Sequence, residues 1–465
     1  MSRKAIFIAD LGFGDAGKGT ITDYLTRECS ADLVVRYNGG PQAAHNVVTA
    51  DGKHHTFAQF GSGMLLPWTR TLLTRFMLIN PLNMLREERH LAQLGVRDAL
   101  SRTLVDRRAL IITPFQKAAN RLRELARADQ RHGSCGEGIG ECRADQLAYG
   151  NDVLYAGDLL DRATMRKKLQ FLLDTKYAEV AVLREHLPDS EQVRQELATF
   201  THPTSIDDCL DVYLYFARCV QLLDETAISA RFAQSETMIF EGAQGVLLDE
   251  NYAFAPYTTW STTTFANADT LLQEHNYTGE IIKLGVLRAY ATRHGAGPFP
   301  TEEPALTAAL PDLHNSWNDW QQTFRVGHFD LVATRYARDV IGHLDGLAIT
   351  HLDRWETMSA HQLCTAYHYQ GVEADLSPYF VSPLGQESRT LTGIKVQQSA
   401  TLTHQEELTR HLWLCRPHYQ TLPERSTQEE YLALLAEQLA APIAIISSGP
   451  TEADKRSLSV MQSWL

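Results

Sequence analysis

Residues 10–25 read DLGFGDAGKGTITDYL. Gly12-x4-Gly17-Lys18 satisfies the first seven positions of the phosphate-binding pattern G-x-x-x-x-G-K-[ST], and Gly19 stands where the magnesium-binding hydroxyl belongs. Just before this stretch, Ala5-Ile6-Phe7-Ile8-Ala9 is an apolar run that reads as a buried strand; just after it, a helix is expected from about 20 to 29. Strand, glycine turn and helix together aim backbone N–H groups and a helix N-terminus at an anion. Gly12, Gly14, Gly17 and Gly19 let the backbone approach a polyphosphate, and Lys18 supplies a point charge for β- and γ-phosphates. Asp15 departs from this scheme. A carboxylate in the cradle repels phosphate unless Mg²⁺ lies between them or it serves as a base toward a second substrate. The competing reading is a glycine-rich turn with a surface aspartate.

Working outward, residues 32–37 read as a second strand, and Asn38-Gly39-Gly40-Pro41 is a turn signal. Gln42-Ala43-Ala44-His45-Asn46 follows, which places a histidine on a loop expected to adjoin the first. An aspartate and a histidine on neighbouring loops form a base and acid pair. Short apolar runs recur at 109–113, 236–240, 281–286, 346–350 and 443–447, separated by helical stretches such as 158–187, 205–228 and 333–343. The expected class is therefore α/β, with a mainly parallel sheet whose ligands gather at the carboxyl ends of its strands.

The chain has 465 residues, 44% hydrophobic and 21% charged, with no run of 18 apolar residues and no signal-peptide pattern at MSRKAIFIADLG, so a cytoplasmic protein is expected. Seven cysteines form no C-x-x-C pair, in keeping with a reducing compartment. A net charge of −13 argues against general nucleic-acid binding.

GFGDAGKG followed by VVRYNGGPQAAHNVV resembles the opening of adenylosuccinate synthetases, which join aspartate to inosine monophosphate (IMP) at the expense of GTP. Further blocks resemble that family in its order and at similar spacing: 241–264 (EGAQGVLLDENYAFAPYTTWSTTT), 288–303 (RAYATRHGAGPFPTEE), 325–337 (RVGHFDLVATRYA), 350–353 (THLD) and 445–450 (IISSGP). The resemblance implies a P-loop-like α/β fold with a large, mainly parallel twisted sheet flanked by helices, as one domain over 1–465 with a helical insertion at about 158–230. It also implies a homodimer, with no nucleic-acid or membrane partner.

By resemblance Asp15 is the general base that takes the purine N1 proton and also reaches Mg²⁺, with Ala44 assigned to the same ion. His45 is the general acid at the purine 6-oxygen as that oxygen takes the γ-phosphate. Lys18 neutralises the transferring group. An amide-like oxygen leaves poorly, and phosphorylation turns it into a good leaving group that an amine displaces. Asp353 matches the aspartate that accepts two hydrogen bonds from guanine. Ser448, Gly449 and Pro450 match the loop that closes over the base. Gln244 and Thr259 match contacts to the IMP base and 5′-phosphate. Gln42 stands for a family asparagine, Ala44 for a glycine, Ala16 for a glutamate and His351 for a lysine.

The acceptor and donor sides depart further. Cys135 replaces a phosphate-side threonine, and Glu137 replaces an arginine. That charge reversal costs roughly 4 kcal/mol per close pair at an intermediate dielectric unless Glu137 points away. Tyr149 stands where an arginine crosses to the partner's nucleotide, with Arg143 nearby. The cationic segment that grips aspartate is Trp320-Gln321-Gln322-Thr323-Phe324-Arg325, in which only Arg325 is charged; Arg143, Arg288 and Arg293 are candidate replacements. Three readings stay open: a divergent synthetase, a paralogue with a changed purine acceptor or amine donor, and a GTP-binding regulator without ligase activity.

Overall fold

The computed structural model describes residues 3–464 except 129–130, 313–314, 316–319, 321–322, 359–360, 373–374, 384–388 and 424. Its frame is a ten-stranded sheet built from β1 (Lys4–Asp10), β2 (Leu33–Arg36), β3 (Arg70–Leu73), β4 (Thr103–Asp106), β5 (Gln221–Leu223), β6 (Thr237–Glu241), β7 (Glu280–Arg288), β8 (Gly346–Thr350), β9 (Ile443–Ser447) and β10 (Lys455–Ser457). Their spatial order is β10-β9-β8-β7-β1-β6-β2-β3-β4-β5, and every neighbouring pair is parallel except β9 with β10. In β1, Ala5, Phe7 and Ala9 enter one core while Ile6 and Ile8 enter another. Burial on both faces explains the unbroken apolar run, because a central parallel strand has no solvent face to mark with polar residues.

The helix after the glycine turn, α1 (Lys18–Glu28), packs Ile21 and Leu25 against the second of these cores. Helices α2 (Pro114–Ala126), α3 (Ile139–Tyr149), α4 (Arg162–Ala181), α5 (Glu191–Thr201) and α6 (Ser205–Cys219) share a separate core with Val105, Ile111, Phe115, Leu169, Tyr213 and Phe216.

Three expectations need correction. The helical reading of 205–228 breaks at β5, an edge strand followed by a new helix at Glu225–Gln234. The run 109–113 contributes only Leu110–Ile111, paired with Leu78–Ile79 outside the main sheet. The main-sheet strands there are β3 and β4, where Arg70, Thr71 and Thr103 interrupt the apolar signal. Finally, β2 is not beside β1: β6 lies between them. The loop next to the glycine turn on that side is therefore 242–245, and His45 reaches the site another way.

Candidate functional site

The carboxyl ends of β1, β7, β8 and β9 open into one cleft of about 490 Å³. Gly14, Asp15, Gly17, Lys18 and Gly19 line it, with Gln42, Ala44, His45, Gln244, Asp353, Gly449 and Pro450. This volume is in the range of small-molecule sites.

The glycine turn is held from below. Asp10 ends β1 and is 1% exposed; its Oδ1 accepts from the Gly12 N–H (2.8 Å), and its Oδ2 accepts from the Ala16 N–H (2.9 Å) and the Lys18 Nζ (3.0 Å). Asp15 sits at φ +61°, a left-handed conformation that costs a non-glycine residue roughly 1–3 kcal/mol and needs surrounding contacts to persist. Its carbonyl accepts from Arg288 Nε at 2.6 Å, and the next carbonyl, of Ala16, accepts from Thr350 Oγ1 at 2.8 Å. Burial pushes the Asp15 carboxyl above its ordinary range, against the pull of Arg288, His294 and Lys18. A carboxylate so placed accepts a proton more readily than a solvated one.

Gly19 explains the missing hydroxyl. A Cβ there would lie 2.7 Å from His45 Cβ and 2.9 Å from the His45 carbonyl carbon. The first turn of α1 thus packs on the strand His45–Val48, and that contact, not sheet adjacency, brings His45 to the loop. Gly245 does the same on the other flank, since a Cβ there would lie 2.2 Å from the Gly12 carbonyl oxygen.

His45 Nδ1 is 2.6 Å from Glu241 Oε1, at the end of β6. Glu241 also accepts from the Ser62 N–H (2.9 Å) and the Ser62 hydroxyl. Although burial raises the Glu241 carboxyl, Arg36, His45 and Ser62 outweigh it and hold it below its ordinary value. Burial depresses His45 to about 4, partly offset by Glu241. The ring is therefore neutral, donating Nδ1–H to the carboxylate, and negative charge brought by phosphate favours its protonation.

Both polar atoms of the Gln42 amide and Gln244 Oε1 are buried with no hydrogen-bond partner. Unpaired amides lining a cleft are costly unless a ligand completes them. At the far end, Asp353 is exposed at 3.3 Å from Arg354 Nε. The neighbouring loop is anchored by Thr20 Oγ1, which donates to the Pro450 carbonyl at 3.1 Å.

Other expected residues lie elsewhere. Gly12 borders a smaller cavity beneath the turn. Ser448 is exposed, with its N–H on the Asp454 carbonyl, and does not line the cleft. Nor do Thr259, Cys135, Thr323 or Arg325. Burial pushes the Cys135 thiol up to about 12. Glu137 is turned to Lys117 Nζ, at 2.8 and 2.9 Å, and to Asn83, so its charge is neutralised within the protein. Arg143 donates to Gln146, and Tyr149 packs edge-on to Phe171. Arg325 is held by Glu302 (2.7 Å) and by the carbonyls of Gly295 and Gly297, while Arg293 donates to the carbonyls of Ala296 and Pro298. Of the candidate replacement arginines, Arg288 lines the cleft, paired with Asp312 at 2.8 Å. Gln321 and Gln322 lie outside the described residues. Motif matching missed Asp10 and Glu241, whose only local signals are an acid ending an apolar strand and the first letter of EGAQG.

Comparison with known proteins agrees with this geometry. Residues 7–455 match the family model described as adenylosuccinate synthetase. The adenylosuccinate synthetase of Synechococcus sp. strain RCC307 is 32% identical over 448 residues, covering 94% of this chain and 92% of that one. That of Prochlorococcus marinus strain MIT 9313 is 33% identical, with 94% and 92% covered. Among solved structures, the fully ligated adenylosuccinate synthetase of Plasmodium falciparum superposes with a TM-score of 0.72 at 19% identity, covering 98% of this chain and 99% of that one. The cyanophage S-2L succinoaminodeoxyadenylate synthetase, bound to dGMP and dATP as an energy donor, gives 0.59 at 14% identity, with 98% and 96% covered.

Proposed function

The chain belongs to the adenylosuccinate synthetase family of GTP-dependent C–N ligases, and we propose from this premise that it phosphorylates the 6-oxygen of IMP with GTP and displaces the phosphate with the amine of L-aspartate. The observation that carries the proposal is the convergence of Asp15, Lys18, His45 and the unpaired amides of Gln42 and Gln244 in the cleft that also contains Asp353.

Asp15 takes the N1 proton of the purine, which makes the 6-oxygen nucleophilic. His45, oriented by Glu241 and protonated as phosphate charge approaches, donates a hydrogen bond at that oxygen while it attacks the γ-phosphorus and GDP leaves. Lys18 compensates charge on the group in flight. Asp353 selects guanine over adenine, because its two oxygens match the N1–H and exocyclic amine of guanine. Mg²⁺ fits the cleft because Asp15 presents a carboxylate there, and Mg²⁺ needs only one or two carboxylates beside nucleotide phosphates. The Asp15 carboxylate and the Ala44 backbone carbonyl would hold it, and it would supply charge neutralisation to the transferring phosphate. A homodimer in the cytoplasm belongs to the same reading. Among the described residues no helix is long and apolar enough to cross a membrane.

The engagement of Arg325 and Arg293 by loop carbonyls favours a second reading, in which the same activation machinery serves a different amine donor or purine. A single assay separates the readings. The protein is incubated with GTP, Mg²⁺ and IMP against a panel of amino acids, and the purine absorbance is followed. A change confined to aspartate is expected; silence with IMP alongside turnover of another purine nucleotide would establish the second reading. GTP hydrolysis indifferent to any purine would instead mark a GTP-binding regulator.

A further inference from the structure

Asp10 has no place in the chemistry described above, yet it carries the only carboxylate that the described hydrogen bonds of the glycine turn converge on. We infer that Asp10 is a positioning residue, resting on the proposed ligase reading: it fixes the peptide between Asp15 and Ala16 and the Lys18 ammonium in the register that phosphoryl transfer uses.

The peptide linking Asp15 to Ala16 is gripped at both ends by opposite charges. Its N–H donates to the Asp10 carboxylate at 2.9 Å, and its C=O accepts from the Arg288 guanidinium at 2.6 Å. Charge-assisted bonds of this kind are stronger than neutral ones. Rotation of this peptide, through ψ of Asp15 and φ of Ala16, would break both together, so the backbone on the C-terminal side of Asp15 is fixed where that residue lines the cleft. The same Asp10 oxygen that takes the Ala16 N–H also takes the Lys18 ammonium, so one atom sets the spacing between the proton acceptor and the cation. Both Asp10 and Lys18 are almost wholly buried, at 1% and 3% exposure, so water does not screen the pair.

Asp10→Asn is the test. Asp10 accepts at both oxygens, so an amide must aim its NH₂ at an existing donor whichever way it turns. Asp10→Ala, which removes the carboxylate without placing a donor there, is measured beside it, with thermal unfolding to show that both variants are folded. A kcat lower by roughly 10- to 100-fold is expected, the scale of an ångström-level misplacement. KM and Kd for GTP should change by much less than kcat, about threefold to tenfold, because the other backbone N–H groups of the turn remain. A kcat within twofold of the wild type, or GTP binding lost in proportion to turnover, would overturn the assignment. A crystal structure of Asp10→Asn reads the role without any activity measurement, and so separates failure of this inference from failure of the ligase reading. The peptide between Asp15 and Ala16 is expected to reorient and Lys18 to leave its position 3.0 Å from residue 10; an unchanged turn would refute the role even if the wild type proved silent on IMP.

Discussion

Gly19 shows how one residue trades a common function for a contact. A serine there would restore the usual phosphate-loop motif, but its Cβ would press on the His45 backbone at 2.9 Å. Gly19→Ser should therefore lose about 1–3 kcal/mol of stability by chemical denaturation, as overpacked sites do. It should also lower turnover by displacing His45. Asp15→Asn keeps the shape of the turn and removes the proton acceptor. Its kcat should fall by about 10²–10⁴-fold with only a modest change in GTP affinity measured by calorimetry; normal turnover would show that Asp15 is not the base. Asp15, Lys18, His45, Gln42, Gln244 and Asp353 were legible in the sequence because each sits inside a contiguous motif. Asp10 and Glu241 were not. Asp10 acts from beneath the motif, and Glu241 acts on His45 from 196 residues away in the chain. Arg325 shows what a motif leaves out: a lone arginine in a depleted segment reads as a substrate contact, and the fold adds Glu302 and two carbonyls as its partners.

Among the elements, the strands that carry the cleft were the most legible. β8 and β9 match their apolar runs residue for residue, and β1, β6 and β7 lie within a few residues of theirs, because central parallel strands are apolar on both faces. Edge and near-edge strands were not: β5 is only three residues long and β3 begins on an arginine. The helix Leu331–Ile341 permits a test of how such elements are held. Its N-cap, Asp330, accepts from the Ala333 N–H (3.0 Å) and the Tyr367 hydroxyl (2.7 Å), yet burial pushes its carboxyl up to about 6. The folded protein thus binds this proton more tightly than the unfolded chain. The associated stability is present below about pH 4 and is lost as pH rises through about 6. Asp330→Asn keeps a good cap and removes the titration. Its stability relative to the wild type should rise between pH 4 and 7 by up to about 3 kcal/mol. A difference that stays flat across this window in denaturant titrations would contradict the assignment.

At the scale of the whole molecule, a net charge of −13 disfavours anionic ligands in general, and the cations at the cleft are individually placed. Lys18 is held by Asp10, Arg288 by Asp312, and Arg354 lies beside Asp353. Selectivity then depends on position, and Asp353→Asn should weaken GTP binding by at least tenfold while leaving the Asp15 end intact. An unchanged Kd would remove Asp353 from the base site. The central claim is that the cleft primes a purine oxygen by phosphorylation and does not merely hydrolyse GTP. Its most direct test supplies IMP labelled with ¹⁸O at the 6-position, together with GTP, Mg²⁺ and aspartate, and follows the label by mass spectrometry. The account predicts that the ¹⁸O leaves the purine and appears in the released inorganic phosphate. Phosphate free of label, with the ¹⁸O still on the purine, would contradict it.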